Sequence, residues 1–121
     1  MDKLIYLASP YGHDKPAKLR QQRYEAALVV EAAMMRDGLM VYSPIAHRHP
    51  GAVRELYPLG WEYWKSFDSL IITRCDEVHV LRLTGWESSI GVKAEIDLAK
   101  CLDKRVVYIL YSYFEPILRT L

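Results

Sequence analysis

Residues 3–8, Lys3-Leu4-Ile5-Tyr6-Leu7-Ala8, form a short and largely apolar run that the turn-rich Ser9-Pro10-Tyr11-Gly12 closes. A run of this length bounded by turn residues reads as a buried β-strand. The period then changes. Asp14 stands where a helix cap belongs, with Pro16 in the first turn, and a helical pattern runs to Asp37, where Gly38 supplies a stop. Leu39 to Tyr42 is a second short strand. Ser43 to Pro58 contains Pro44, Pro50, Gly51 and Pro58 and reads as a long loop, of a length that is often functional. The pattern beyond it predicts a helix over 59–74, a strand over 77–81, a loop over 82–87, a helix over 88–102, a strand over 105–110 and a short helix over 112–121.

Strand and helix thus alternate, with no repeat, linker or low-complexity tract between them. This order predicts an α/β protein with one domain over 1–121, a Rossmann/flavodoxin-like three-layer sandwich whose parallel sheet has four or five strands. Ligands of such sheets bind beyond the carboxyl ends of the strands. The loops to watch are therefore those around 9–14, 43–58 and 82–89. The 121 residues, 51% of them apolar, suffice to bury roughly two thirds of the unfolded surface. Lys and Arg number 16 against 15 for Asp and Glu, so the formal charge of +1 speaks against a nucleic-acid binder. No apolar run is long enough to span a membrane, and the start does not read as a signal peptide. Cys75 and Cys101 belong to no CxxC pair. The expectation is a reduced, cytoplasmic protein.

Two carboxylates fall on the wrong faces of their helices. Around the helix 88–102, Lys93, Asp97 and Lys100 share the solvent side, whereas Val92, Ile96, Ala99 and Leu102 share the core side. Glu95 projects with the second group, three residues after Val92 and four before Ala99. In the helix 59–74, Asp68 lies within the stripe of Trp61, Trp64, Ile71 and Cys75. A carboxylate on an apolar stripe is paired, hydrogen-bonded or functional, because burying it alone costs several kcal/mol. For either residue alone, an ion pair with an Arg or Lys at the core edge is an equal alternative. Two carboxylates flanking one strand suit glycosidic chemistry, in which one attacks or stabilises the anomeric carbon and the other handles protons or orients the sugar.

Tyr6-Leu7-Ala8-Ser9-Pro10-Tyr11, Asp68, Asp76 and Ser89-Ile90-Gly91-Val92-Lys93-Ala94-Glu95, in this order and spacing, resemble the nucleoside 2-deoxyribosyltransferase superfamily, in an uncharacterised bacterial and phage branch. The resemblance extends from Lys3 to about Leu110. It implies that Glu95 is the catalytic nucleophile, that Tyr6 lies beside it, and that Asp68 touches the deoxyribose. Where members acting on free nucleosides carry an aspartate, this chain has Ser89. The S-x-G-x-x-x-E form is similar to the branch that hydrolyses deoxynucleoside 5′-monophosphates, whose serine helps to hold the phosphate. A hydroxyl at a helix N-terminus donates to a phosphate that a carboxylate would repel. Ser89 as a plain helix cap is the alternative. Ser9 replaces the usual glycine of the first turn, and Glu87 brings a negative charge close to the proposed phosphate.

The resemblance implies hydrolysis of a 2′-deoxynucleoside 5′-monophosphate through a glycosyl-enzyme ester on Glu95, with no cofactor and no metal. Base exchange by a transferase, or a non-catalytic nucleotide-binding module, are the alternatives. Catalysis falls to Glu95, Asp68 and Tyr6. Ser9, Ser89, Gly91, His47 and Trp86 are the expected substrate-binding residues. His47 and His49 in the middle loop could equally serve a solvated loop or a subunit contact, and Arg48 between them could bind an anion. Trp61 and Trp64 read as core or interface, Trp86 as the better partner for a base. Arg20 and Arg23 oppose the helix dipole, so they either answer a phosphate or line a solvated face. Tyr108, Tyr111, Tyr113 and Phe114 suggest a subunit interface, and hence a homodimer or larger homo-oligomer.

Overall fold

Alternate residues of the first strand pack into two different cores. The computed structural model describes residues 2–57 and 60–110. Its elements are β1 (Leu4–Ala8), α1 (Ala17–Arg36), β2 (Met40–Tyr42), α2 (Pro44–Val53), α3 (Trp61–Arg74), β3 (Glu77–Arg82), α4 (Ile90–Cys101) and β4 (Arg105–Leu110), with one turn of 3-10 helix, Trp86–Ser88, ahead of α4. Ile5 and Leu7 pack with Ala26, Val30 and Met34 of α1. Tyr6 and Ala8 point the other way, into a cluster with Ile72 of α3 and Val92, Ile96 and Ala99 of α4. The period of two in β1 thus serves both faces of one sheet, which is why this strand shows no polar side.

Among the described residues the sheet has four strands in the order β2-β1-β3-β4, all parallel. The α/β sandwich expected from the alternation is the observed fold. Its connections leave the ends of β1, β2 and β3 on one edge, where the site is found. Gly38, at φ +87°, ends α1 as the sequence suggests.

Two local expectations are corrected. The first residues of the middle loop are helical: Ser43 accepts from the Ala46 amide at 3.1 Å and Pro44 opens α2. Its prolines misled, since Pro44 occupies the one helical position that needs no donor. Asp14 does not cap α1. The N-cap is Pro16, without a side-chain hydrogen bond, and Asp14 belongs to the exposed turn before it. The short helix expected over 112–121 lies outside the described residues.

The edge opposite the site is held by charge. Glu77, buried at the start of β3, accepts from Lys3 Nζ and His79 Nε2, each at 2.9 Å. These hydrogen bonds hold its carboxyl down at about 2. A depressed carboxyl stabilises the fold above its unfolded pKa, and that contribution is lost as pH falls towards 2. Glu77→Gln is expected to lower stability at pH 7 by about 1–2 kcal/mol. Thermal melts should show the deficit closing as pH falls through 4 to 2.

Candidate active site

Glu95 leaves α4 between the buried Val92 and Ala99, so its side chain runs towards the sheet. There the hydroxyl of Tyr6, fully buried on β1, donates to the Glu95 carboxylate. Burial pushes the Glu95 carboxyl up to about 8; the Tyr6 hydrogen bond opposes the rise, Asp68 adds to it and Arg48 subtracts. Burial, with the nearby Glu95 charge, holds the Tyr6 hydroxyl well above its ordinary value. Tyr6 therefore remains a donor.

Asp68 comes from α3, four residues after the buried Trp64. Nη1 of Arg48, on α2, donates to both its oxygens, at 3.0 and 2.8 Å. The guanidinium lies 4.6 Å from the Trp64 ring centroid, in cation–π contact. Burial raises the Asp68 carboxyl and Arg48 pulls it back. The ion-pair alternative weighed for Asp68 is thus real, yet Asp68, Arg48 and Glu95 all line one cavity of about 840 Å³. That volume suits a ligand of nucleotide size.

The cavity lies beyond the carboxyl ends of the strands. Ser9 after β1, Ile45 after β2 and Gly85, Ser88 and Ser89 after β3 contribute to its wall. The Ser9 hydroxyl is buried there without a hydrogen-bond partner among the described residues. Ser89 caps α4 by accepting from the Val92 amide at 3.2 Å, and its own hydroxyl hydrogen remains to be given. A methyl group at Gly91 would meet nothing nearer than Ser89 Oγ at 4.0 Å, so the space above this turn belongs to the cavity.

Two expected substrate contacts lie elsewhere. His47 is exposed and stacks on Phe67, with ring centroids 6.3 Å apart, outside the cavity wall. The turn that sends Arg48 inward sends its neighbour out. Trp86 packs against the core and Tyr108 instead of the cavity. Trp61 takes its place: 46% exposed, it lines the cavity on the α3 side. Asp76 also lies away from the site, accepting from the Leu4 amide at the opposite edge.

Other residues build the rim. Arg23 donates to the carbonyls of Tyr11 and Thr84, at 3.0 and 3.1 Å, and ties the loop after β1 to that after β3. Gly85, at φ +90°, admits this tie, since a Cβ there would stand 2.9 Å from Arg23 Nη2. His49 is buried, hydrogen-bonded to the Tyr11 hydroxyl at 2.7 Å and to Gln21 Oε1 at 2.8 Å. Among the described residues no three His, Cys, Asp or Glu side chains gather as a metal site, and no helix is long and apolar enough to cross a membrane.

Residues 3–111 match the model of a family described as a domain of unknown function, DUF1937. The chain belongs to that family. No curated protein matches it. In this DUF1937 chain the paired Tyr6 and Glu95 therefore have to be read from their own chemistry.

A carboxyl raised by the fold weakens it as pH rises, because the unfolded chain releases its proton near 4.5 and the folded chain holds it until about 8. Each unit corresponds to about 1.4 kcal/mol. Glu95→Gln should therefore match the parent protein in thermal melts near pH 4.5 and exceed it at pH 9 by an amount on the order of a few kcal/mol.

Proposed function

We propose that the protein hydrolyses the N-glycosidic bond of a 2′-deoxynucleoside 5′-monophosphate, with Glu95 as nucleophile. The observation that carries this reading is a Tyr6-bound carboxylate that shares a nucleotide-sized cavity with a second carboxylate. The likeness of Ser89-Ile90-Gly91-Val92-Lys93-Ala94-Glu95 to the superfamily motif supports it.

Ionised Glu95 attacks C1′ while the C1′–N bond breaks, its electron pair leaving on the base nitrogen. Asp68, held as a carboxylate by Arg48, orients the sugar, and the departing base takes its proton from solvent. Water then attacks C1′ of the glycosyl ester. Asp68 takes the proton of that water as general base and passes it to solvent, and Glu95 departs as carboxylate. A 2′-deoxy sugar forms the required oxocarbenium-like transition state more readily than a ribose. Ser9, Ser89 and Gly91 contact the sugar and phosphate, and Trp61 supplies the flat face on which the base stacks. We also place the protein in the cytoplasm as a homodimer or larger homo-oligomer; the half-exposed Tyr108 and Leu110 of the edge strand β4 favour such an assembly.

The test is to incubate the protein with deoxynucleoside 5′-monophosphates, and separately with free nucleosides, and to follow free base by chromatography. Base release from the monophosphates is expected, with Glu95→Ala lowering kcat by about 10³-fold or more. Because attack needs the carboxylate, kcat/KM should rise with pH to a plateau above about 8. A profile that falls over this range would give Glu95 the role of an acid instead. No release from any substrate would end the enzyme reading, and a base-exchange product formed when a second base is offered would make the protein a transferase.

A further inference from the structure

Beside the main cavity, between α1 and α2, lies a second pocket of about 180 Å³, room for about six waters and too small for a nucleoside. It adjoins the cavity, and Tyr11, His13, Ile45 and Arg48 line both. Its wall carries Arg20, Arg48, His13 and His49 and no carboxylate.

The donors there are largely unspent. Arg20 gives Nε to the Lys15 carbonyl at 3.1 Å, and its Nη groups make no hydrogen bond among the described residues. Arg48 gives Nη1 to Asp68, while its Nε and Nη2 have no such partner. His13 is exposed and makes no hydrogen bond among the described residues; it touches the Tyr11 ring edge-on. His49 has both ring nitrogens engaged, by Tyr11 and Gln21, so it contributes a wall and a fixed position for the Tyr11 hydroxyl.

The arginines also bear on the histidines of this pocket. His13 is lowered by burial, then by Arg48 and Arg20, against a smaller pull from Asp14. His49 is lowered by burial, then by Arg20, with Glu25 opposing. Arg20 also lies in the second turn of α1, whose first turn carries no acidic residue, where the helix dipole disfavours a cation. Two arginines that line one small pocket and keep unspent donors are what a bound oxyanion compensates.

We propose that this pocket is an anion subsite that takes the phosphate group of the substrate, with Arg20, His13 and Arg48 as its donors. The subsite stands on its own geometry; only the rest of the ligand rests on the N-glycosidase reading. It moves the phosphate away from Ser89, leaving that hydroxyl to the sugar, and puts Arg48 between the phosphate and Asp68. The cation that steadies the second carboxylate would then also report that a phosphorylated substrate is in place.

Inorganic phosphate is the probe, titrated into the full-length protein by calorimetry and by NMR of the histidine ring resonances. Saturable binding that moves the His13 resonances is expected, weakened about tenfold or more in Arg20→Gln and largely retained in Arg20→Lys. Melting curves of both variants check that the fold is kept, and the lysine variant separates lost charge from lost packing. No saturable binding, or binding unchanged in Arg20→Gln, overturns the proposal. So does binding that is lost in Ser89→Ala and intact in Arg20→Gln, which would put the phosphate at the start of α4. Phosphate binding with this pattern but no base release from any nucleotide would keep the subsite and remove the N-glycosidase reading.

Discussion

A carboxylate taken out of bulk water next to a tyrosine hydroxyl is the constraint on which the rest of this molecule depends. Tyr6 sits at the centre of the sheet, on a strand flanked on both sides, and its side chain has only the α3–α4 layer to enter. Glu95 reaches the same layer from α4. The pair joins an inner strand of the sheet to the helix that opens on the cavity wall. One hydrogen bond from a neutral donor does not repay the desolvation of a full charge. The carboxyl accordingly rests near 8, close to the range in which a group can change its protonation during turnover.

The second carboxylate is treated differently, and the difference bears on the roles proposed for the two. Asp68 is half-buried like Glu95, but it has a guanidinium forked onto it and an indole behind that guanidinium. An arginine cannot give up its proton here, so the Arg48–Asp68 unit keeps a fixed cation whatever Asp68 does. Glu95 has only Tyr6, which can donate but carries no charge. A proton taken up by Asp68 in the proposed reaction would thus meet an adjacent counter-ion, whereas a charge at Glu95 would face whatever electrophile occupies the cavity. That asymmetry suits a nucleophile at Glu95 and a proton carrier at Asp68.

Much of this was legible in the sequence, for reasons that differ from residue to residue. The strands were readable because short apolar runs ended at Ser9-Pro10 and Cys75-Asp76, and Glu95 because α4 has a clean stripe of Val92, Ile96 and Ala99 for it to violate. Asp68 stood out for the same reason. What could not be read was any pairing between elements far apart in the chain. Arg48 reads from sequence as a loop residue able to bind an anion, since Pro44, Pro50 and Gly51 hide the helix that aims it, and only the closed fold brings it to Asp68 of α3. His47 and Trp86 were chosen by residue type and loop position, and type says nothing about which way a side chain leaves the backbone. Trp61 shares a spacing with Trp64, so both read as core or interface, yet only Trp64 is buried. Arg23 resembled any helix-surface arginine; its two carbonyl partners lie in loops 12 and 61 residues away.

The two ends of the sheet show how far one side chain can be taken by its surroundings. Glu77 and Glu95 are the same residue, each facing the interior beside a strand, and their carboxyls stand at about 2 and about 8. At the amino end of the strands, the backbone register places Lys3 and Arg105 within reach of Glu77, and His79 lies two residues on along the same strand face. Cations and donors there outweigh burial, so the charge is kept and holds three strands together. At the carboxyl end the loops turn away to make room for a cavity, and no cation among the described residues touches Glu95 directly. The fold thus keeps a satisfied carboxylate where the chain needs cohesion and an unsatisfied one where it leaves space for a ligand. An unsatisfied carboxyl persists only because the rest of the sheet is stable enough to hold it in place, which is why the stabilising pair and the reactive pair belong to opposite edges of the same strands.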